Sequence, residues 1–224
     1  MAGCLIVLGG CQKGQSSNEN AQQPTVKIGE QDRQAVSREE LITVLESNNF
    51  DRTVSVMNRV KTMEYQGDLM PLLKNIWGGN LADVPRMNKA FGEHPRVRIE
   101  IADVLLQASR NNRGFNLEPN AYSEYARGLV NSEDSEVAMQ AISVVGIAND
   151  PVDLPLLEKI LAEEKDATYR VAALAYTKNC AVNKEAIEHI TASIKREEIR
   201  SYLSETWSEF QKLRQFLCQS KSSS

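Results

Sequence analysis

Residues able to do chemistry near neutral pH are scarce in this chain: two histidines, His94 and His189, and four cysteines, Cys4, Cys11, Cys180 and Cys218. A zinc site built on His-Glu-x-x-His sets two imidazoles one helical turn apart, and paired Cys-x-x-Cys strings bring four thiolates to one ion; neither pattern occurs. His94 stands before Pro95 at an expected helix start, and His189 shares a helix with Glu185 and Glu188. A nucleophile elbow, a P-loop and a Gly-x-Gly-x-x-Gly string are all missing, so acyl transfer from a strained serine and nucleotide cradling have no footing. Glu163-Glu164 and Asp134-Ser135-Glu136 offer carboxylates, but at an expected helix end and helix start, where capping and solvation explain them more simply than acid–base catalysis. Arg98 and Arg170 are suited to phosphate or to a structural partner. The sequence assigns no catalytic residue, no metal and no cofactor.

Binding is the remaining class of function, and composition narrows it. Among 224 residues, 26 are basic and 30 acidic, a net charge of −4 that offers no general attraction to a phosphate backbone. Nucleic acid is therefore not an expected partner. Trp77, Trp207, Tyr122, Tyr125, Tyr169, Tyr176 and Tyr202 are the anchors available to a docking protein, although their helical spacing suits core packing better.

The elements that would position such groups read as helices. Ser37-Arg38-Glu39-Glu40 forms a capping box, and Leu41, Ile42, Val44 and Leu45 carry the helix to about Glu46. Asp51 is the expected cap of the next helix, whose buried face holds Val56, Met57, Val60 and Met63. A third helix bears Leu69, Leu72, Leu73, Ile76 and Trp77 and stops at Gly78-Gly79. Three later strings repeat one another, beginning at Val97, Val137 and Tyr169. Their fifth positions are Ile101, Ala141 and Ala173, and their ninth are Leu105, Val145 and Thr177. A cap candidate precedes each: His94, Asp134 and Asp166. A second helix lies between copies, near Asn120, after Asp150 and after Asn183, so each unit reads helix, turn, helix. Such a hairpin cannot bury its own apolar face, whereas stacked neighbours can. The last helix, from Arg196 to about Leu217, aligns Ile199, Tyr202, Leu203, Thr206, Phe210, Leu213 and Leu217 on one stripe, as a cap closing the stack would.

Two resemblances add to this reading. Leu8-Gly9-Gly10-Cys11, after the apolar Leu5-Ile6-Val7, resembles the lipobox of bacterial lipoproteins. The resemblance implies a signal peptide over 1–10, cleavage before Cys11 and a lipid on its sulfur, with palmitate among the acyl chains. Gln12 rather than Asp follows the cysteine, which by the family rule implies the outer membrane, facing the periplasm. Residues 11–36 are polar and would serve as a disordered tether. The alternative is a frayed cytosolic N-terminus with an incidental cysteine.

The pattern Asp-x-x-Val-x-x-x-Ala-x-x-x-Val-Gly, Asp134 to Gly146, resembles the second helix of a HEAT-like repeat, and Asp150 to Leu157 resembles the first helix of the next. The resemblance implies an all-α fold, an α-solenoid of HEAT-like hairpins over 37–219 with a C-terminal capping helix and a tail over 220–224. It also implies that Arg98 and Arg170 bond within or between repeats, with Asp166 four residues before Arg170. An irregular helical bundle is the alternative.

With Cys4 removed and Cys11 lipidated, Cys180 and Cys218 remain, either as a disulfide tying the last helix to the last repeat or as two free thiols. The expected function is a lipid-anchored envelope protein that docks an unidentified envelope protein. The alternative is a cytosolic HEAT-like module with an enzymatic or nucleic-acid role.

Overall fold

A serine ahead of two glutamates begins the first helix. In the computed structural model, which describes residues 35–63, 67–110 and 116–218, the Ser37 Oγ accepts from the Glu40 N–H at 3.1 Å and starts α1 (Arg38–Glu46). Val36, before this cap, and Leu41, after its first turn, are both buried in the main core cluster, the placement of a hydrophobic staple. The folded body thus takes in Val36, which the sequence reading left in the tether. The expected lipidation residue Cys11 lies outside the described residues, as do the signal segment and residues 220–224.

All the regular structure among the described residues is helical. After α1 come α2 (Phe50–Thr62), α3 (Met70–Trp77), α4 (Lys89–Gly92), α5 (Pro95–Arg110), α6 (Pro119–Arg127), α7 (Ser135–Ala148), α8 (Leu154–Ala162), α9 (Tyr169–Thr177), α10 (Lys184–Ser193) and α11 (Glu197–Cys218). Proline occupies the first turn of α3, α5, α6 and α8, where its missing N–H costs nothing and its fixed φ suits the helix. Gly79, at φ 82°, turns the chain after α3 where a side chain would be strained.

Several expected caps hold and two do not. Asp134 Oδ1 accepts from the N–H groups of Glu136 and Val137; Asn183, expected only to precede a helix, also caps it by accepting from Ala186 N–H. His94 Nδ1 accepts from Arg96 N–H at 3.2 Å. Asn49, not Asp51, caps α2 through Arg52 N–H, because α2 begins one residue before Asp51. Asp166 caps nothing: its carboxylate lies 2.5 Å from Arg196 Nη1, and α9 begins after Thr168 with no side-chain cap.

Packing follows the repeated strings. Their first, fifth and ninth residues (Val97, Ile101, Leu105; Val137, Ala141, Val145; Tyr169, Ala173, Thr177) are all buried. Thr177, the polar ninth, satisfies its hydroxyl on Leu174 C=O. Helix α2 packs on α5, α5 on α7, α7 on α9 and α9 on α11, while α1, α3, α6, α8 and α10 each pack on a member of that series. Along α11, Ile199, Leu203, Thr206, Trp207 and Phe210 are buried, but Leu213 is 55% exposed. The expected stripe is corrected there: Leu213 lies about 60° round the helix from Phe210, at the border of the buried face, while the end of α11 stays on the core through Cys218.

Candidate functional site

Two acids on α5 break an otherwise apolar stretch. Glu100 and Asp103, three residues apart and therefore on one helix face, are both buried among Ile99, Ile101, Ala102 and Val104. Across from them, Lys61 in the last turn of α2 puts its Nζ 2.7 Å from Glu100 Oε2 and 2.7 Å from Asp103 Oδ2. Gln140 of α7 donates to Asp103 Oδ2 at 2.6 Å, and Gln107 donates to Asp103 Oδ1 at 2.7 Å. Three helices thus meet on one polar cluster: α2 gives the cation, α5 the carboxylates and α7 an amide.

The electrostatics exclude one use of this cluster. Burial disfavours the Lys61 ammonium, but Asp103 and Glu100 together outweigh burial and hold its pKa above the usual lysine value. Lys61 therefore stays protonated and is neither a general base nor an amine nucleophile. Burial pushes the Glu100 carboxyl above the usual carboxylate range, against the pull of Lys61, and Asp103 adds to the rise.

Glu100 also lines a cavity of about 570 Å³ between α2, α5 and α7. Phe50, Asp51, Val54, Ser55 and Asn58 form its α2 wall, and Glu136, Val137, Met139 and Gln140 its α7 wall. Arg96 also lines it, tied to Asp134 Oδ2 at 2.7 Å and Glu136 Oε2 at 3.0 Å. Hydrogen bonding to Arg96 is the main reason the Asp134 carboxyl titrates below its usual value. A smaller hollow of about 280 Å³ lies against α7, α9 and α11, with Ile147, Val171, Leu174 and Phe210 on its walls.

Of the residues singled out from sequence, Asp51, Glu136 and Val137 line the larger cavity; the arginines, the aromatic rings and the cysteines lie elsewhere. Arg98 lies over the Trp77 ring at 4.4 Å and near Tyr125 at 5.3 Å, and Trp77 meets Tyr122 and Tyr125 edge-on. Arg170 bonds Tyr169 Oη at 2.9 Å and reaches the Tyr202 ring on α11. Asp166 is not its partner. Tyr122 and Tyr176 are fully buried, and Tyr176 Oη donates to Glu158 at 2.8 Å, so these two rings are core and not docking anchors. Glu164 accepts from Lys195 and Arg196 N–H groups ahead of α11, a capping role at long range. Cys180 and Cys218 form a disulfide with a Cα–Cα distance of 5.7 Å. Among the described residues no group of three or more His, Cys, Asp or Glu stands ready to hold a metal ion. No helix among them is long and apolar enough to cross a membrane.

The chain matches no protein-family model, no curated protein and no solved structure. The cavity is therefore judged on its own geometry. It has a buried carboxylate, Glu100, facing an open volume of ligand size. Sequence reasoning missed it because Lys61 and Glu100 are 39 residues apart. The one local signal was two acids inside an apolar helical run.

Proposed function

We propose that this chain is a lipid-anchored protein of the bacterial cell envelope whose helical body is an α-solenoid of HEAT-like hairpins that docks another envelope protein. The anchor is the lipidated Cys11, which holds the body to the outer membrane on its periplasmic side. The activity is binding and not turnover.

The observation that carries the docking reading is the serial packing of α2, α5, α7, α9 and α11, each on the next, with a cavity left open against the first three. A bundle would fold its helices around a shared axis and fill that space. The disulfide Cys180–Cys218 supports an oxidising compartment, since cytosolic thiols are kept reduced. The net charge of −4 gives no support to a nucleic-acid partner.

Metabolic labelling with palmitate tests the anchor: the wild-type chain takes up label and sediments with membranes, and Cys11→Ala does neither. A chain found wholly in the cytosol, unlabelled, would overturn the reading and favour a cytosolic helical-repeat module. Pull-down from detergent-solubilised envelopes tests docking, with capture of the same envelope protein in reciprocal experiments as the expected result.

A further inference from the structure

We propose that the cavity between α2, α5 and α7 receives a basic side chain, arginine or lysine, from the docked partner. This inference rests on the docking reading and names the chemistry of the partner.

The charge balance around the cavity is unequal. Glu100 and Asp103 share one ammonium, Lys61, so the buried trio carries one excess negative charge. Asp103 is well served, with Lys61, Gln107 and Gln140 all donating to it. Glu100 has Lys61 alone among the described residues, is 5% exposed, and lines the cavity. The rest of the lining adds Asp51 and Glu136 against Arg96, whose guanidinium is already committed to Asp134 and Glu136.

A carboxylate with spare acceptor capacity, held out of bulk water, is a costly group that an incoming cation relieves. A guanidinium or ammonium entering here gains charge-assisted hydrogen bonds in a low-dielectric site. Val54, Ile99, Val137 and Met139 offer apolar wall for the methylene stem of such a side chain. An acidic side chain would meet like charge at the same place and be rejected. Arginine is also among the residues that most often anchor protein interfaces.

The test uses the full chain, isotopically labelled, in amide NMR titrations with three blocked tripeptides, Gly-Arg-Gly, Gly-Lys-Gly and Gly-Glu-Gly. The basic tripeptides should shift the Asn58, Glu100 and Gln140 amides saturably, and the acidic one should not. Glu100→Gln should weaken the basic tripeptides at least tenfold. Asn58→Lys, on an exposed position of α2, should block them with an ammonium of its own and leaves the core untouched, so the test survives if Glu100→Gln fails to fold. Shifts that are absent, that spread over the whole acidic surface, or that persist unchanged in both variants would overturn the proposal. Spermidine binding tighter than either basic tripeptide would also overturn it, by making a free polycation the occupant. Capture of an envelope protein equally by wild type and Glu100→Gln would sink this inference and leave the scaffold reading standing. No capture of any protein by wild type, with tripeptide binding intact, would overturn the docking reading and with it the partner as source of the basic group, leaving only the cavity's preference for a cation.

Discussion

A β-carbon added to Gly146 on α7 would stand 2.6 Å from the β-carbon of Ala175 on α9 and 3.0 Å from its α-carbon. The two helices cross with nothing between them at this point, and the obstructing atoms belong to the backbone and its first carbon, which cannot swing aside. Gly146→Ala gains up to about 1 kcal/mol of helix propensity. Overpacking at such a crossing costs about 1–3 kcal/mol. We expect a net loss of stability in urea unfolding and partial recovery in the double variant with Ala175→Gly. A more stable Gly146→Ala would contradict the close crossing.

Arg127 at the end of α6 holds Asp153 with Nε 2.5 Å from Oδ1, and it reaches Asp150 at 3.2 Å. Asp153 is 2% exposed. Arg127→Ala strands a buried carboxylate and should cost about 3–5 kcal/mol. Arg127→Ala combined with Asp153→Asn should cost less than Arg127→Ala alone, because the stranded charge is gone. Chemical denaturation of both variants measures the difference.

The disulfide closes a sequence separation of 38 residues between the loop after α9 and the end of α11. In the chain-entropy description such a link contributes about 4 kcal/mol. Dithiothreitol should lower the unfolding midpoint of the wild type and leave Cys218→Ser, already lowered, unmoved. Trp207, buried on α11, should report the change in fluorescence. A midpoint indifferent to reductant would show that α11 is held by packing alone.

Glu100 gives a pH prediction with a definite sign. Its folded-state pKa is raised above the ordinary 4.5, so the native chain binds more protons there than the unfolded chain. The contribution of Glu100 to stability is thus greatest below that ordinary value and falls as pH rises through the raised folded pKa. Glu100→Gln lacks this titration. Relative to wild type it should gain stability between acid and neutral pH, read from urea midpoints at several pH values. A difference that stays flat with pH would show that Glu100 titrates as an exposed carboxylate.

Much of the helix framework was legible because it is local. Ser37, Asp134 and Asn183 announce helix starts within three residues of the N–H groups they accept from, and the first, fifth and ninth positions of three strings mark the buried face by spacing alone. Errors arose where a second element intervened. Asp166 looked like a cap until Arg196, thirty residues on in the chain, took its carboxylate. Leu213 looked buried, yet it falls at the border of the face that α11 turns to the core. Val36 looked like tether because its neighbours are polar, yet the core reaches it.

The candidate site was hardly legible at all. The chain by itself determined that it would be helical, where most helices begin and which stripe of each turns inward, since these depend on a period of 3.6 residues and on caps a few bonds away. Tertiary structure alone decided that Lys61 would meet Glu100 and Asp103, that Arg127 would meet Asp153, and that Cys180 would meet Cys218. Those meetings depend on how far each helix is slid and rotated against the next, which is set by the sum of many packing contacts and written in no single stretch of residues.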